Sequence, residues 1–447
     1  MGKNYKNLFN ERIIKYPVKT KMLGIVDYVN LDNAATVPPF ADTEKVVFDF
    51  VTSYGSVHRG AGEKSQVSTA VYEQCRQTIK KFVDAPEDFY VLFTGNTTGA
   101  MNTLAYFLAQ LPGKIAVSEI EHSASYLPFV KAEGQKELGD KRFELEKISS
   151  VNELVQAFGF QQVLTYSLND DFEFDLEALE KILQKEKIKA VVVTASSNLT
   201  GYTPDLKKIG ELVKKYHAYF IVDACQFIQH HEISMKELGI DFLAASGHKF
   251  YAPYGGGFLI GPKKFLDNFL PYQIGGGNLP YITQDGYFVR YENEQAHDPG
   301  TPNAIGAVAM KSSLEKLQSL GLKNIADYEK KLVKKVYDEL KKNKKVKLYV
   351  SEKHLNTVIP FTLDGMTYKE TAQRLNDDYG IGLRAGNFCV YAAIRKMLNI
   401  KNDEEITVQV KNGNKDMLPG VVRASFSLCN DESDADRFVA AINEMTK

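Results

Sequence analysis

Phe220-Ile221-Val222-Asp223-Ala224-Cys225-Gln226, followed by Ser246-Gly247-His248-Lys249, is the part of this 447-residue chain that decides its fold. The first stretch has the composition of a short buried strand that ends in an acid. The second follows the apolar run Ile240-Asp241-Phe242-Leu243-Ala244-Ala245 and precedes Tyr254-Gly255-Gly256-Gly257. Between Asp223 and Lys249 there is room for one crossover helix and the next strand. The same rhythm extends outward. Strands are expected at 90–94, 114–117 and 189–194, with helices near 98–110 and 205–216. Nearly all-apolar strands alternating with helices predict a parallel sheet buried on both faces. Ligands in such sheets bind beyond the carboxyl ends of the strands.

Beyond this core, helices are predicted over 42–54 and 63–84; the second carries Val67, Val71, Cys75, Ile79 and Phe82 on one face. The first thirty residues read as an arm, and 132–160, charged and punctuated by Gly134, Gly139 and Gly159, as an insertion. After Gly300-Thr301-Pro302-Asn303 one long helical stretch is expected over 304–341, then alternating strands and helices to the end. The organisation expected is α/β: an arm over 1–31, a large domain over 32–298 with a mostly parallel seven-stranded sheet between helices, and a smaller α+β domain over 299–447.

Composition narrows the function. The hydrophobic content of 44% supports a large core, and a net charge of −1 with mixed signs argues against a nucleic-acid partner. Lys341-Lys342-Asn343-Lys344-Lys345 reads as a solvated helix end. No apolar run is long enough to span a bilayer, and the N-terminus shows neither a signal-peptide pattern nor a myristoylation pattern. Two sequons, at Asn96 and Asn198, therefore carry no weight. Cys75, Cys225, Cys389 and Cys429 form neither a CxxC pair nor a metal spacing, and a reducing, cytoplasmic setting is expected.

A strand-end carboxylate and a later strand-end lysine suit pyridoxal 5'-phosphate (PLP). Lysine forms a Schiff base with the cofactor, and a carboxylate pairs with the pyridinium nitrogen. Lys249 and Asp223 are the candidates, with Ser246 and His248 as phosphate donors. Read alone, Asp223 could equally be a helix cap and Lys249 a solvated strand exit.

Further motifs occur in order: Leu31-Asp32-Asn33-Ala34-Ala35-Thr36, Val57-His58-Arg59-Gly60, Thr97-Thr98, Glu121-His122, Ser197-Asn198, Gly275-Gly276-Gly277, Arg384-Ala385-Gly386-Asn387-Phe388-Cys389 and Arg423-Ala424-Ser425. With these the chain resembles the class V aminotransferase group of fold-type I PLP enzymes, most of all the type II cysteine desulfurases, which are selenocysteine-lyase-like. The resemblance runs from Leu31 to the C-terminus. It implies that Lys249 holds PLP, Asp223 pairs with the ring nitrogen, His122 stacks on the ring and moves protons, and Gln226 bonds the phenolic oxygen. It implies phosphate contacts from Thr97, Thr98, Ser246 and His248, and one from Thr301 of a partner subunit, hence a homodimer. Arg423 would clamp the substrate carboxylate with help from Asn198. Ala34, His58, Arg59 and Arg384 would line the substrate side.

Cys389 stands where desulfurases carry the thiol nucleophile. The resemblance implies that this thiolate takes sulfur from cysteine as a persulfide and that alanine leaves, with a sulfur-acceptor protein as a further partner. Two departures bear on this role: Asn387-Phe388 replaces two histidines, and 390–420, with a helix expected over 390–398, is longer than in typical relatives. A different PLP reaction on an amino acid, with Cys389 incidental, stays open at this point. Cys225 and Cys429 read as packing residues.

Overall fold

The computed structural model describes residues 4–139 and 151–447. The N-terminal arm is ordered by docking. Its strands β1 (Pro17–Thr20) and β2 (Gly24–Asp27) form an antiparallel hairpin, and β3 (Val29–Asn30) runs parallel to β15 (Ile381–Gly382). Tyr5 and Phe9 are buried, the Phe9 ring lying 5.4 Å from that of Phe40, and Lys6 pairs with Asp434 at 2.9 Å.

Seven strands form the main sheet: β4 (Phe89–Thr94), β5 (Lys114–Ser118), β6 (Val163–Tyr166), β7 (Ile188–Thr194), β8 (Tyr219–Asp223), β9 (Phe242–Ser246) and β10 (Gly257–Pro262). Their spatial order is β4-β10-β9-β8-β7-β5-β6. The run from β9 to β6 is parallel, and β10 is antiparallel to both neighbours. All seven residues of β7 are buried. Side chains alternate across a strand, and here they feed two cores. Val191, Val193, Phe220 and Val222 point into one; Ala190, Val192, Ile221 and Phe242 point into the other. Burial on both faces is why these strands read as continuous apolar runs rather than alternating ones.

The segment 132–160, expected as an insertion, lies within the connection between β5 and β6. Its described parts belong to two helices, Leu127–Gly139 and Val151–Gln162, that form the crossover between parallel β5 and β6. Residues 140–150 lie outside the described residues. Gly134 and Gly159 do not break the helices. They are where the two backbones touch: a side chain on Gly134 would meet the Val155 carbonyl, and one on Gly159 the Val130 carbonyl. A buried Lys189–Glu133 ion pair of 2.6 Å fastens the first helix to β7.

The single helical stretch expected over 304–341 is two helices, Ala304–Leu320 and Leu322–Lys342, divided at Gly321 (φ 80°). A left-handed glycine at this position ends the first helix. The division serves two cores. Met310, Leu314 and Leu317 pack into the core of the main sheet. Val333, Val336 and Leu340 cover a second sheet. That sheet, ordered β13-β14-β17-β16, is built from β13 (Val346–Leu348), β14 (Val358–Leu363), β16 (Arg384–Gly386) and β17 (Val421–Ser425), all antiparallel. A short exposed hairpin, β11 (Tyr281–Ile282) and β12 (Phe288–Val289), precedes it. Among the described residues no helix is long and apolar enough to cross a membrane.

Candidate active site

The carboxyl ends of β5, β7, β8 and β9 open into one cavity of about 290 Å³, closed on the far side by β16 and β17. Asp223 ends β8 and is 4% exposed. Its carboxylate accepts from the Cys225 N–H (3.0 Å) and, through its other oxygen, from the Ser125 hydroxyl. These two donors fix its plane at the cavity wall. Beyond β9 the chain turns tightly at Gly247–Lys249, which brings half-buried His248 and Lys249 to the same cavity.

The helix Thr97–Ala109 points its N-terminus at the cavity. Asn96 caps it by accepting from the Gly99 N–H at 2.9 Å. The Thr97 N–H donates to Ser246 Oγ at 2.7 Å, and Thr97 Oγ1 lies 2.8 Å from the same hydroxyl and 2.7 Å from Cys225 Sγ. Thr98 stays exposed on the wall. Gly257 lets β10 pass behind this turn, because a Cβ there would meet the Asn96 backbone. A helix N-terminus with hydroxyls around it is a ready site for a phosphate dianion.

His122 follows β5. Its Nδ1 accepts from the Ala124 N–H at 3.1 Å, so the proton of the neutral ring sits on Nε2. Burial, helped by the positive charge of Lys249, pushes its pKa down to about 4, so the ring is neutral at pH 7. Behind it, Glu121 is buried and accepts from the Ser118 hydroxyl (2.8 Å) and the Thr194 N–H (3.0 Å), tying the ends of β5 and β7 together. Burial raises its pKa to about 8. Gln226 donates to the Ala34 carbonyl at 2.6 Å, which brings Ala34 to the cavity wall.

Arg423, on β17, is 1% exposed. It donates to the Asn198 carbonyl (2.8 Å) and to Asp32 (3.1 Å), and its guanidinium lies 4.8 Å from the centre of the Phe388 ring. Its Nε has no partner. Burial lowers its pKa to about 10, which leaves it charged at neutral pH. A buried, charged guanidinium with a spare donor is suited to a carboxylate ligand. Asp32 also lies 3.9 Å from the exposed Arg384, so one carboxylate bridges two arginines on the wall.

Cys389 is half-buried and lines the same cavity. It and Phe388 both have left-handed backbones, φ 60° and 52°. Such residues cost on the order of 1–3 kcal/mol each and persist only where their surroundings hold them. The Asn198 side chain donates to the Phe388 carbonyl at 3.0 Å. The helix expected after Cys389 is present as Tyr391–Met397, and Glu404–Lys411 adds a second.

Three of the expected residues stand elsewhere. His58 pairs with Glu73 at 2.8 Å, and its ring, Glu73 and Asp298 offer ligating atoms within 4.8 Å of one another. Arg76 pairs with both of those carboxylates, so the cluster already holds its cation. Arg59 donates to the carbonyls of Gly276 and Gly300, and Thr301 beside it is exposed. None of the three lines the cavity of its own chain.

The reading from sequence gave no role to Asp32, Glu121 or Ser125. Asp32 and Glu121 lie inside quoted motifs, but Ser125 and Asp223 are 98 residues apart and share no local pattern.

The chain is similar to known proteins over most of its length. A probable cysteine desulfurase of Pyrococcus abyssi is 28% identical over 433 residues, covering 94% of this chain and 95% of that protein. One of Synechocystis is 29% identical over 382 residues, 84% of this chain and 85% of that one. Among solved structures, the apo cysteine desulfurase of Thermococcus onnurineus NA1 superposes with a TM-score of 0.78 at 27% identity, covering 94% of each chain. The Escherichia coli cysteine desulfurase CsdA, in its S-sulfonic acid form, gives 0.74 at 26%, covering 93% of this chain and 94% of that one. The architecture is therefore that of the fold-type I enzymes. The Aminotransferase class-V family model matches residues 29–165 and 145–438, through both sheets and every wall of the cavity, and the chain belongs to that family.

Proposed function

We propose that this protein is a PLP-dependent cysteine desulfurase that takes sulfur from L-cysteine onto Cys389 and releases L-alanine. The observation that carries the reading is Cys389 on the wall of the cavity that also holds Lys249, Asp223, His122 and Arg423. Class-V aminotransferases and cysteine desulfurases use PLP, and the donor set here fits it: an oriented carboxylate for the ring nitrogen, an amine for the aldehyde, and a helix N-terminus with Thr98, Ser246 and His248 for the phosphate. Gln226 would bond the phenolic oxygen and His122 cover the ring.

Bound PLP supplies an electron sink joined to the substrate's amino group. The chain's residues do the rest. Arg423 and Asn198 hold the substrate carboxylate. Lys249 and neutral His122 can accept and return protons at the substrate carbons. The Cys389 thiolate attacks the substrate sulfur; an S–S bond forms as the C–S bond breaks, leaving a persulfide on Cys389. A reductant or a sulfur-acceptor protein then takes the sulfur. His58, Arg59 and Thr301 would act in a homodimer, Thr301 reaching the partner subunit's phosphate site.

The test is to incubate the PLP-loaded protein with L-cysteine and a reductant and to quantify alanine and sulfide. Equal amounts of both are expected, with Cys389→Ala losing the activity while keeping the cofactor absorbance band. A protein that keeps the band and makes no alanine acts on another amino acid.

A further inference from the structure

We infer that Ser123 is the positioning residue for the Cys389 thiol, holding the nucleophile's loop against the turn that carries His122. The inference rests on the reading of Cys389 as sulfur acceptor. The loop is a tight turn: the Val390 N–H donates to the Asn387 carbonyl at 2.9 Å, and both central residues, Phe388 and Cys389, have positive φ. That sign pattern belongs to type I′ turns, whose central pair is normally Asn-Gly because L-residues with bulk resist it. A Phe-Cys pair therefore needs outside contacts to stay there.

The structure supplies them on each carbonyl. Asn198 holds that of Phe388 at 3.0 Å. Ser123 holds that of Cys389 twice, by its backbone N–H (2.9 Å) and its hydroxyl (2.9 Å). Asn387 closes the inner side by accepting the Cys389 N–H at 3.1 Å. With its carbonyl held by two donors, the Cys389 peptide cannot rotate, and the direction of its Cα–Cβ bond is fixed toward the cavity. Because Ser123 directly follows His122, one turn sets both the imidazole and the thiol.

Two variants of nearly equal shape isolate the hydroxyl: Ser123→Thr keeps it and Ser123→Val replaces it with a methyl. Iodoacetamide alkylation of Cys389 reads the loop without any turnover. For Ser123→Val we expect alkylation several-fold faster than wild type and a kcat for alanine about tenfold lower, the scale of one hydrogen bond. The KM for cysteine and the cofactor band should stay within twofold and unshifted. Ser123→Thr should match wild type in both readouts. Equal alkylation rates and equal kcat for the Val and Thr variants would overturn the clamp. Alanine formation that survives in Cys389→Ala would instead sink the desulfurase reading, while the alkylation rates would still decide the clamp.

Discussion

Arg423 shows what a single side chain at the cavity is asked to do. It is buried, charged, and bonded to Asp32 and the Asn198 carbonyl, with Nε left over. Lysine cannot reproduce that planar fork. Arg423→Lys is therefore expected to raise the KM for cysteine about 10- to 100-fold, the range of a lost charge-assisted hydrogen bond, and to leave the cofactor band unchanged. Steady-state kinetics beside an absorbance spectrum separate the two effects; a normal KM would remove Arg423 from the substrate site. Asp223 and Lys249 were legible in the sequence because each sits where an apolar run stops, and a charge at a strand exit stands out. Ser125 and Asp32 were not, because their partners are 98 and 391 residues away and only folding joins them.

At the scale of elements, the pair of helices between β5 and β6 depends on glycine at two crossing points. Gly159 leaves no room for a Cβ, since the obstacle is the Val130 backbone and not a flexible side chain. Gly159→Ala should then cost about 1–3 kcal/mol, as overpacking does, read as a lower denaturant midpoint. An unchanged midpoint would mean the helices can separate freely. In sequence these glycines looked like breaks, because composition cannot tell a glycine that ends a helix from one that lets another backbone approach. Gly321 is the opposite case: a helical pattern runs across it, and its left-handed conformation, seen only in the fold, divides the stretch.

The whole molecule carries a pH signature. Burial lowers the pKa of His122, His231, His248 and His297 to about 4, while Glu121 is raised to about 8. Below about pH 6.5 the unfolded chain binds protons that the folded imidazoles refuse, so stability falls as pH drops from about 6.5 to 4. Glu121 acts in the other direction: the folded chain keeps its proton up to about pH 8 while the unfolded chain loses it above about 4.5, so stability falls as pH rises through that window. Burial also raises the pKa values of Asp32, Glu133, Asp298 and Glu329, which act in the same direction as Glu121, but the four imidazoles and Glu121 carry the large shifts in this range. The cofactor-free protein should lose stability more steeply on the acid side, measured as denaturant midpoint against pH, and a flat acid limb would show that these imidazoles are solvated.

The sequence by itself determined the layers. Strands buried on both faces must be apolar throughout, and the alternation of such runs with helices leaves a parallel sheet as the way to bury them. It also marked candidate residues at the exits of two apolar runs, where Asp223 ends one and Lys249 follows the other. What the tertiary structure alone decided is how the two halves meet: that Arg423 of β17 and the Cys389 turn close over the ends of β5 to β9, that Asp32 bridges two arginines, and that His58, Arg59 and Thr301 stand outside that cavity. These contacts join residues hundreds of positions apart, and no local pattern encodes a distance that only the packing of one core on another sets.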